Sequence, residues 1–282
     1  MSEFWSGSDF AYMCLKDTAR TTAFRRAIHQ TVRPGDVVLD AGSGTGILSF
    51  FAVEAGARRV YAVEVDENMC ECLERTVGVN GLQGSVEVRC GNVLDLDIPE
   101  PVDVVVAEMI ETALIDELQI PAINRLFHRG IVSSGTRFIP ESYRTSLQLV
   151  SISRDLYGYA IMAPHHEWPF YAEGASGWKT IEVGERSDSV EVWSGRFSEG
   201  PFDETVTRRL TLAIRPPGDV NALRLRGTAT LAPGIHLAAC NSMNGDKILP
   251  LPEAQTGTGA TLRISYRMGS GLRTLATELE MR

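Results

Sequence analysis

Val37-Val38-Leu39-Asp40-Ala41-Gly42-Ser43-Gly44-Thr45-Gly46 is the stretch whose reading decides the fold. Val37 to Leu39 form a short apolar run, as a strand buried on both faces requires, and Asp40 closes it. Gly42, Gly44 and Gly46 then turn the chain tightly, because glycine has no Cβ and reaches backbone angles that other residues avoid. The pattern predicts a helix from about Ile47 to Ala55, with Gly56 as its C-terminal stop. A second buried strand, Val60-Tyr61-Ala62-Val63, ends in Glu64. Strand, glycine turn, helix, strand and acid make a nucleotide-binding crossover unit. Backbone N–H groups of such a turn can touch a ligand, and the second acid can accept both hydroxyls of a ribose.

The glycine spacing separates two ligand classes. Dinucleotide folds require G-x-G-x-x-G, whereas here the glycines fall as G-x-G-x-G with Asp40 two residues before the first. That version resembles motif I of class I S-adenosylmethionine methyltransferases. The resemblance implies a methyl-donor site in which Asp40 faces the amino group of S-adenosyl-L-methionine and Gly42 and Gly44 admit its methionine tail.

Around this unit the chain is acidic. Its net charge is −9 and its pI near 5.2, which argues against a nucleic-acid partner and permits a cationic substrate. With 282 residues, 44% of them apolar, it can bury a sizeable core in two modest domains or one large one. The N-terminus shows no basic region followed by an apolar block, and no apolar run approaches membrane-spanning length. The expectation is a cytoplasmic protein with no membrane partner. The five cysteines, Cys14, Cys70, Cys72, Cys90 and Cys240, follow no metal spacing and read as free thiols in a reducing compartment. No metal is expected, and His165 and His166 are read as non-ligands.

Before the turn, Leu15, Ala19, Phe24, Ala27 and Ile28 recur at helical spacing, and by periodicity Lys16, Arg20, Arg25 and Arg26 form a solvated helix face. After it, Asp66 is placed to cap a helix from Glu67 to Asn80, and Ser85 to Arg89 alternates as a strand. Ligands in open α/β sheets bind beyond the carboxyl ends of the strands, so Asn92 and Val93 sit where a base edge is read, or form a plain strand-end turn. Val102 to Ala107 is another buried strand, and it runs into Glu108-Met109-Ile110-Glu111-Thr112-Ala113-Leu114-Ile115-Asp116-Glu117, four acids in ten residues. A helix is expected over Pro121 to Arg129 and a strand within Gly130 to Ile139.

Beyond Pro140 the character changes to alternating runs: Thr145 to Ser151, Ser189 to Trp193, Thr207 to Ile214, Leu223 to Leu231, Thr261 to Arg267 and Leu272 to Glu278. Turns such as Pro216-Pro217-Gly218-Asp219 separate them, as in an antiparallel barrel or sandwich. Tyr157 to Trp178, rich in aromatics, is a loop, an interface arm or core. The fold class is therefore α/β, a Rossmann-like domain followed by an antiparallel β-barrel-like domain, with residues 1–36 as an N-terminal helical lid, 37–139 binding the cofactor and 140–282 forming the barrel.

Taken together these segments resemble the protein arginine N-methyltransferases. Leu15-Lys16-Asp17-Thr18-Ala19-Arg20-Thr21 is similar to that family's L-K-D-x-x-R-T segment, Val38 to Ser49 to its motif I, and Ile139-Pro140 to its barrel junction. Glu108 and Glu117 stand nine positions apart (117 − 108), the family's double-E spacing. The resemblance implies that Arg20 partners the cofactor's carboxylate, Glu64 its ribose, Val93 its adenine, and that Glu108 and Glu117 clamp a guanidino group. It also implies an arginine-containing substrate, protein-bound or free, and a homodimer. Three departures mark an outlying branch. Glu111 stands where the family has glycine, making the pocket more acidic. The family's Thr-His-Trp motif is absent from Asn241 to Lys247. The aromatic N-terminal lid is missing, with Phe4-Trp5 as a partial replacement.

Two carboxylates flanking a guanidinium would orient one nitrogen toward the sulfonium methyl, and Glu108 or Glu117 would take the released proton. The competing readings are methyl transfer to a small amine and a non-catalytic cofactor-binding assembly partner. An adenine acceptor is disfavoured, since Ala107-Glu108-Met109-Ile110 lacks an N-P-P-Y-like segment.

Overall fold

The structure is a computed structural model that describes residues 10–168, 181–215, 218–240 and 244–282. The expected lid residues Phe4 and Trp5, the turn prolines Pro216 and Pro217, Asn241 to Met243 and the second half of the aromatic segment lie outside the described residues.

Two helices open the described chain, α1 (Phe10–Lys16) and α2 (Thr18–Thr31). The parallel unit follows as β1 (Val37–Ala41), α3 (Ile47–Glu54), β2 (Arg59–Glu64), α4 (Glu67–Val79), β3 (Val86–Cys90), β4 (Val104–Ala107), α5 (Gln119–His128) and β5 (Arg137–Ile139). These strands form one sheet in the order β3-β2-β1-β4-β5, every pair parallel. β1 and β4 are buried along their whole length, Asp40 of β1 included. β1 lies at the centre of the sheet, so Asp40 and the glycine turn emerge at its carboxyl edge between the ends of β2 and β4. Asp66 caps α4, accepting from Met69 N at 3.0 Å. α5 starts two residues before the expected Pro121, which sits in the first turn, where a helix has no use for its missing N–H.

The remainder is antiparallel: β6 (Ser142–Ile152), β7 (Asp155–Leu156), β8 (Tyr159–Ala160), β9 (His165–Glu167), β10 (Val183–Glu185), β11 (Val190–Arg196), β12 (Thr205–Ala213), β13 (Val220–Ala232), β14 (Ile235–Leu237), β15 (Asp246–Gln255), β16 (Gly259–Arg267) and β17 (Ala276–Met281). One sheet runs β10-β6-β13-β15-β9, with β11 and β14 joining β6 and β13; a second runs β12-β16-β17. This is the α/β architecture with a β-barrel-like second part that the alternating runs imply. A continuous apolar core extends from Phe24 and the parallel sheet to Tyr266 and Met268.

Two elements differ from expectation. β15 passes unnoticed in the sequence because Pro250 and Pro252 interrupt it; β9 covers only Asp246 to Ile248, so the prolines fall where that edge of β15 needs no donor. The final run begins as a 3₁₀ turn, Leu272–Thr274, held by Thr274 Oγ1 on Gly271 O at 2.9 Å, and becomes a strand only at Ala276.

Candidate functional site

The glycine turn is built from its own neighbourhood. Gly42 N and Ser43 N donate to Val63 O at 3.0 and 2.9 Å, and Gly44 N donates to Glu64 Oε2 at 2.8 Å. Glu64 Oε1 accepts from Val65 N and Asp66 N at 2.8 and 3.0 Å, so three of about four acceptor positions of this carboxylate are used. Gly46 stands at φ 82°, and a Cβ there would lie 2.2 Å from Leu73 Cδ1. Met109 packs over Gly42 and Ala11 over Gly44, so the acid loop and α1 close on the turn from either side.

Asp40 is fully buried. Its Oδ2 accepts from Ser49 Oγ at 2.6 Å, while Oδ1 has no hydrogen-bond partner among the described residues. Burial pushes its pKa up to about 7, helped by the negative charges of Glu64 and Glu108 and opposed by Ser49.

Arg20 overturns the periodicity reading of a solvated face. Asp17 caps α2 through Arg20 N at 3.1 Å, which sets the arginine in the first turn and aims it inward. Arg20 is 4% exposed, and its Cζ lies 5.4 Å from the centre of the Phe24 ring. Nη1 donates to Cys14 O at 3.3 Å and Nη2 is ion-paired with Glu108 Oε2. Arg20 Nε and Glu108 Oε1 are buried and without partners among the described residues. Burial opposes the arginine's charge, but the Glu108 pair outweighs it and raises the pKa above its ordinary range. Glu108 is itself shifted up by burial, with Arg20 acting the other way.

At the far end of the loop Glu117 is buried, and desolvation, reinforced by the charges of Glu108 and Glu111, moves its carboxyl well above the ordinary carboxylate range. The expected pair is therefore asymmetric: Glu108 is engaged by a resident cation, and Glu117 is surrounded by like charges.

The extra acid at Glu111 does not leave the pocket simply more acidic. Glu111 Oε1 is paired with Lys247 Nζ and lies 3.1 Å from His166 Nε2; Oε2 accepts from Asp116 N at 3.2 Å. Lys247 Nζ also reaches Asp116 Oδ2 at 2.7 Å. Tyr143 OH donates to Glu111 O at 3.1 Å, and Thr112 Oγ1 is bonded to Gly245 O. A histidine thus reaches the loop from β9, in the aromatic segment, rather than from 241–247. The sequence reading assigns Lys247, His166 and Tyr143 no role at this loop. The available signal was Lys247 itself, a lone cation heading the apolar Ile248-Leu249-Pro250-Leu251 run.

Asn92 Oδ1 accepts from Leu94 N at 3.0 Å and so closes its own strand-end turn; Val93 is buried beside it. Nearby, Cys70 and Cys90 form a disulfide, which corrects the expectation of five free thiols; Cys72 is exposed and outside that bond. The register pairs Glu64 with Cys90, which brings the end of β3 next to α4, a proximity that no linear spacing reveals.

The buried, unpartnered Asp40 Oδ1, an acceptor, and Arg20 Nε, a donor, fit the amino and carboxylate ends of an amino acid, and Glu64 retains acceptor capacity for a ribose. The set suits S-adenosylmethionine.

Comparison with known proteins bears on this site. Residues 18–141 match the family described as ribosomal protein L11 methyltransferase (PrmA). An uncharacterised protein of Methanothermobacter thermautotrophicus is 30% identical over 260 residues, 92% of each chain. The probable protein arginine N-methyltransferase 6 of Arabidopsis thaliana is 39% identical over 150 residues, 52% of this chain; the match spans 34% of that relative's length. Among solved structures, the Trypanosoma brucei PRMT1 enzyme–prozyme heterotetrameric complex with AdoHcy superposes with a TM-score of 0.73 at 17% identity, covering 98% of this chain and 100% of that one.

Proposed function

The chain belongs to the protein arginine N-methyltransferase family, within the class I S-adenosylmethionine-dependent methyltransferases, as an outlying branch of it, and on that premise we propose that it methylates a guanidino nitrogen of arginine, protein-bound or free. The observation that carries this reading is the pair of buried carboxylates, Glu108 and Glu117, bracketing a loop at the carboxyl end of β4 beside Asp40.

S-adenosylmethionine supplies, when bound, an electrophilic methyl on a sulfonium. Asp40 Oδ1 is the partner for its amino group and Arg20 Nε for its carboxylate; a guanidinium carries five N–H donors, so Arg20 serves that carboxylate without releasing Glu108. Glu64 faces the ribose, and Asn92 and Val93 the adenine edge. Residues 1–36 serve as the lid, 37–139 as the cofactor domain and 140–282 as the substrate and dimerisation domain.

The substrate guanidinium enters charged, since its pKa lies far above neutrality. Glu108 Oε1 and Glu117 accept its N–H groups, draw its charge toward the held nitrogens and leave one nitrogen aligned for attack. Alignment of this kind contributes roughly 7–11 kcal/mol of the barrier. An arriving cation also favours the ionised form of Glu117 against desolvation and the repulsion of Glu108 and Glu111. Once the methyl has transferred, the nitrogen acidifies, and Glu117, a stronger base than an ordinary carboxylate, takes the proton.

Homodimerisation goes with this reading. The β7–β8 hairpin leaves Tyr157 94% and Tyr159 72% exposed, beside exposed Ile161 and Met162, an apolar tip suited to a second copy; a monomeric mass in sedimentation overturns that assignment. Cytoplasmic placement is part of the same reading; among the described residues no helix is long and apolar enough to cross a membrane.

The test is methyl transfer from labelled S-adenosylmethionine to free L-arginine, an arginine-rich peptide and a simple amine in parallel. Label on either guanidino acceptor is the expected result, and which of the two is labelled separates free from protein-bound arginine. Label on the amine alone, or on none, overturns the reading.

A further inference from the structure

The chain has 27 basic residues, of which three are lysines and the other 24 (27 − 3) arginines. One of the three, Lys247, is 1% exposed and enters the acid loop from β15. Its ammonium meets two carboxylates of that loop, Glu111 and, at 2.7 Å, Asp116. A buried ammonium persists only where carboxylates offset its lost hydration. Three donors on a compact head can serve two acceptors that approach from different directions, where the planar fork of arginine demands one plane.

Between these two acids the backbone runs through Ala113 and Leu114 at φ 69° and 57°, consecutive left-handed conformations at non-glycine residues, both fully buried. Backbone of this kind persists only where its surroundings over-determine it. The barrel supplies the ties: Gly269 N donates to Leu114 O at 3.0 Å, Gly271 N to Ile115 O at 2.9 Å and Leu272 N to Asp116 Oδ1 at 3.2 Å. Each of these is a neutral backbone donor. Lys247 alone, among the described residues, bonds both Glu111 and Asp116 with a full charge, and Asp116 directly precedes Glu117. Without it Glu111 and Asp116, already joined through Asp116 N, confront each other as like charges.

We propose that Lys247 is a positioning residue for methyl transfer: by clamping Glu111 and Asp116 it holds the strained loop in the arrangement that presents Glu117 to the acceptor. It acts through the loop and touches neither acceptor nor cofactor. The inference rests on the reading of Glu108 and Glu117 as the acceptor site, and it deepens that reading by explaining why an acid at position 111 comes with a lysine at 247.

The experiment compares the full chain with Lys247→Met, Glu111→Gln and the double variant. It measures kcat and KM for a guanidino acceptor, cofactor affinity by calorimetry, and hydrogen exchange of residues 108–117. Lys247→Met is expected to lower kcat about 100-fold, the cost of a misplacement near 1 Å, with cofactor affinity changed less than about threefold. Exchange in the loop rises about tenfold or more while β1 and β4 stay protected. The double variant, which removes both the cation and its nearest anion, recovers at least about tenfold in kcat over Lys247→Met. A kcat within about twofold of the original, an unchanged loop exchange, or a double variant that loses the product of the two single losses overturns the proposal. If Lys247→Met does not fold, Asp116→Asn, which keeps the Lys247–Glu111 pair, is read by the same criteria with about tenfold expected in kcat. If the unaltered chain methylates no guanidino acceptor, the acceptor reading falls by itself. Loop exchange then decides the clamp alone, a rise supporting it and no change overturning it.

Discussion

The glycine turn and the acid loop both present buried carboxylates at the carboxyl edge of one sheet, yet they are held in opposite ways. Asp40 and Glu64 bond to Ser49, Gly44, Val65 and Asp66, all within 27 residues of one another (66 − 40 + 1). The carboxylates of Glu108, Glu111 and Asp116 depend on Arg20, His166 and Lys247, between 55 and 136 (247 − 111) positions away. Among the described residues the turn bonds its acids only with local N–H and O–H donors and leaves Asp40 Oδ1 open. The loop requires cations delivered by α2 and the barrel. A site half can therefore keep its backbone pattern while its electrostatics are decided by the rest of the chain.

The most forceful way to separate the halves is Glu117→Gln. An amide keeps the shape and one acceptor but removes the charge and the proton sink. We expect kcat to fall on the order of 10³-fold, the scale seen when a preorganised group facing developing charge is removed. Cofactor affinity should stay within about threefold, because every group assigned to the cofactor lies outside Glu117. Steady-state kinetics with calorimetric titration of S-adenosylmethionine checks both. A variant that loses cofactor affinity and kcat together would erase the division into halves.

The same contrast explains what was legible in the sequence. A strand, a glycine turn and a terminal acid are local features, so β1 to β2 with Asp40, Gly42, Gly44 and Glu64 could be read directly from the chain. The L-K-D-x-x-R-T segment was legible as a resemblance, while periodicity misread Arg20, because an amphipathic pattern cannot register a buried cation whose partner lies 88 positions on. Glu111 as an unbalanced acid was the matching error on the other side: its counter-charge enters from β15, a strand disguised by its two prolines. The Cys70–Cys90 bond was hidden for a related reason. Its proximity follows from the parallel register of β2 and β3 and not from any cysteine motif.

That disulfide offers the next test, on the cofactor half. It closes a loop with a sequence separation of 20, and such a cross-link stabilises by about 3 kcal/mol, chiefly through the unfolded chain. Reduction, or Cys70→Ser, should lower stability by that amount in denaturant melts and leave the protection of residues 108–117 against exchange unchanged, since no bond of the acid loop involves α4 or β3 among the described residues. Loosening of the acid loop on reduction would show that the two halves are coupled through the sheet.

The smallest effect expected is the pH dependence of Asp40. Its carboxyl is held up to about 7, far above an ordinary aspartate, by burial and by the charges of Glu64 and Glu108. A raised carboxyl stabilises the ligand-free fold at low pH and loses that contribution as pH rises through 7, because the folded state holds a proton that the unfolded chain releases near pH 4. Cofactor binding has the opposite sign. An ammonium needs the ionised carboxylate, so affinity for S-adenosylmethionine should weaken as pH falls below 7, by about fivefold from pH 7 to pH 6 and approaching tenfold per unit below that. Asp40→Asn should bind more weakly throughout and flatten the profile. If instead the variant keeps the slope, the titrating group is not Asp40, and with Glu108 and Glu117 also shifted upward the dependence would belong to the acid loop. The cofactor half would then owe its pH response to the loop beside it, and the local bonds of Asp40 and Glu64 would describe their geometry but not their charge.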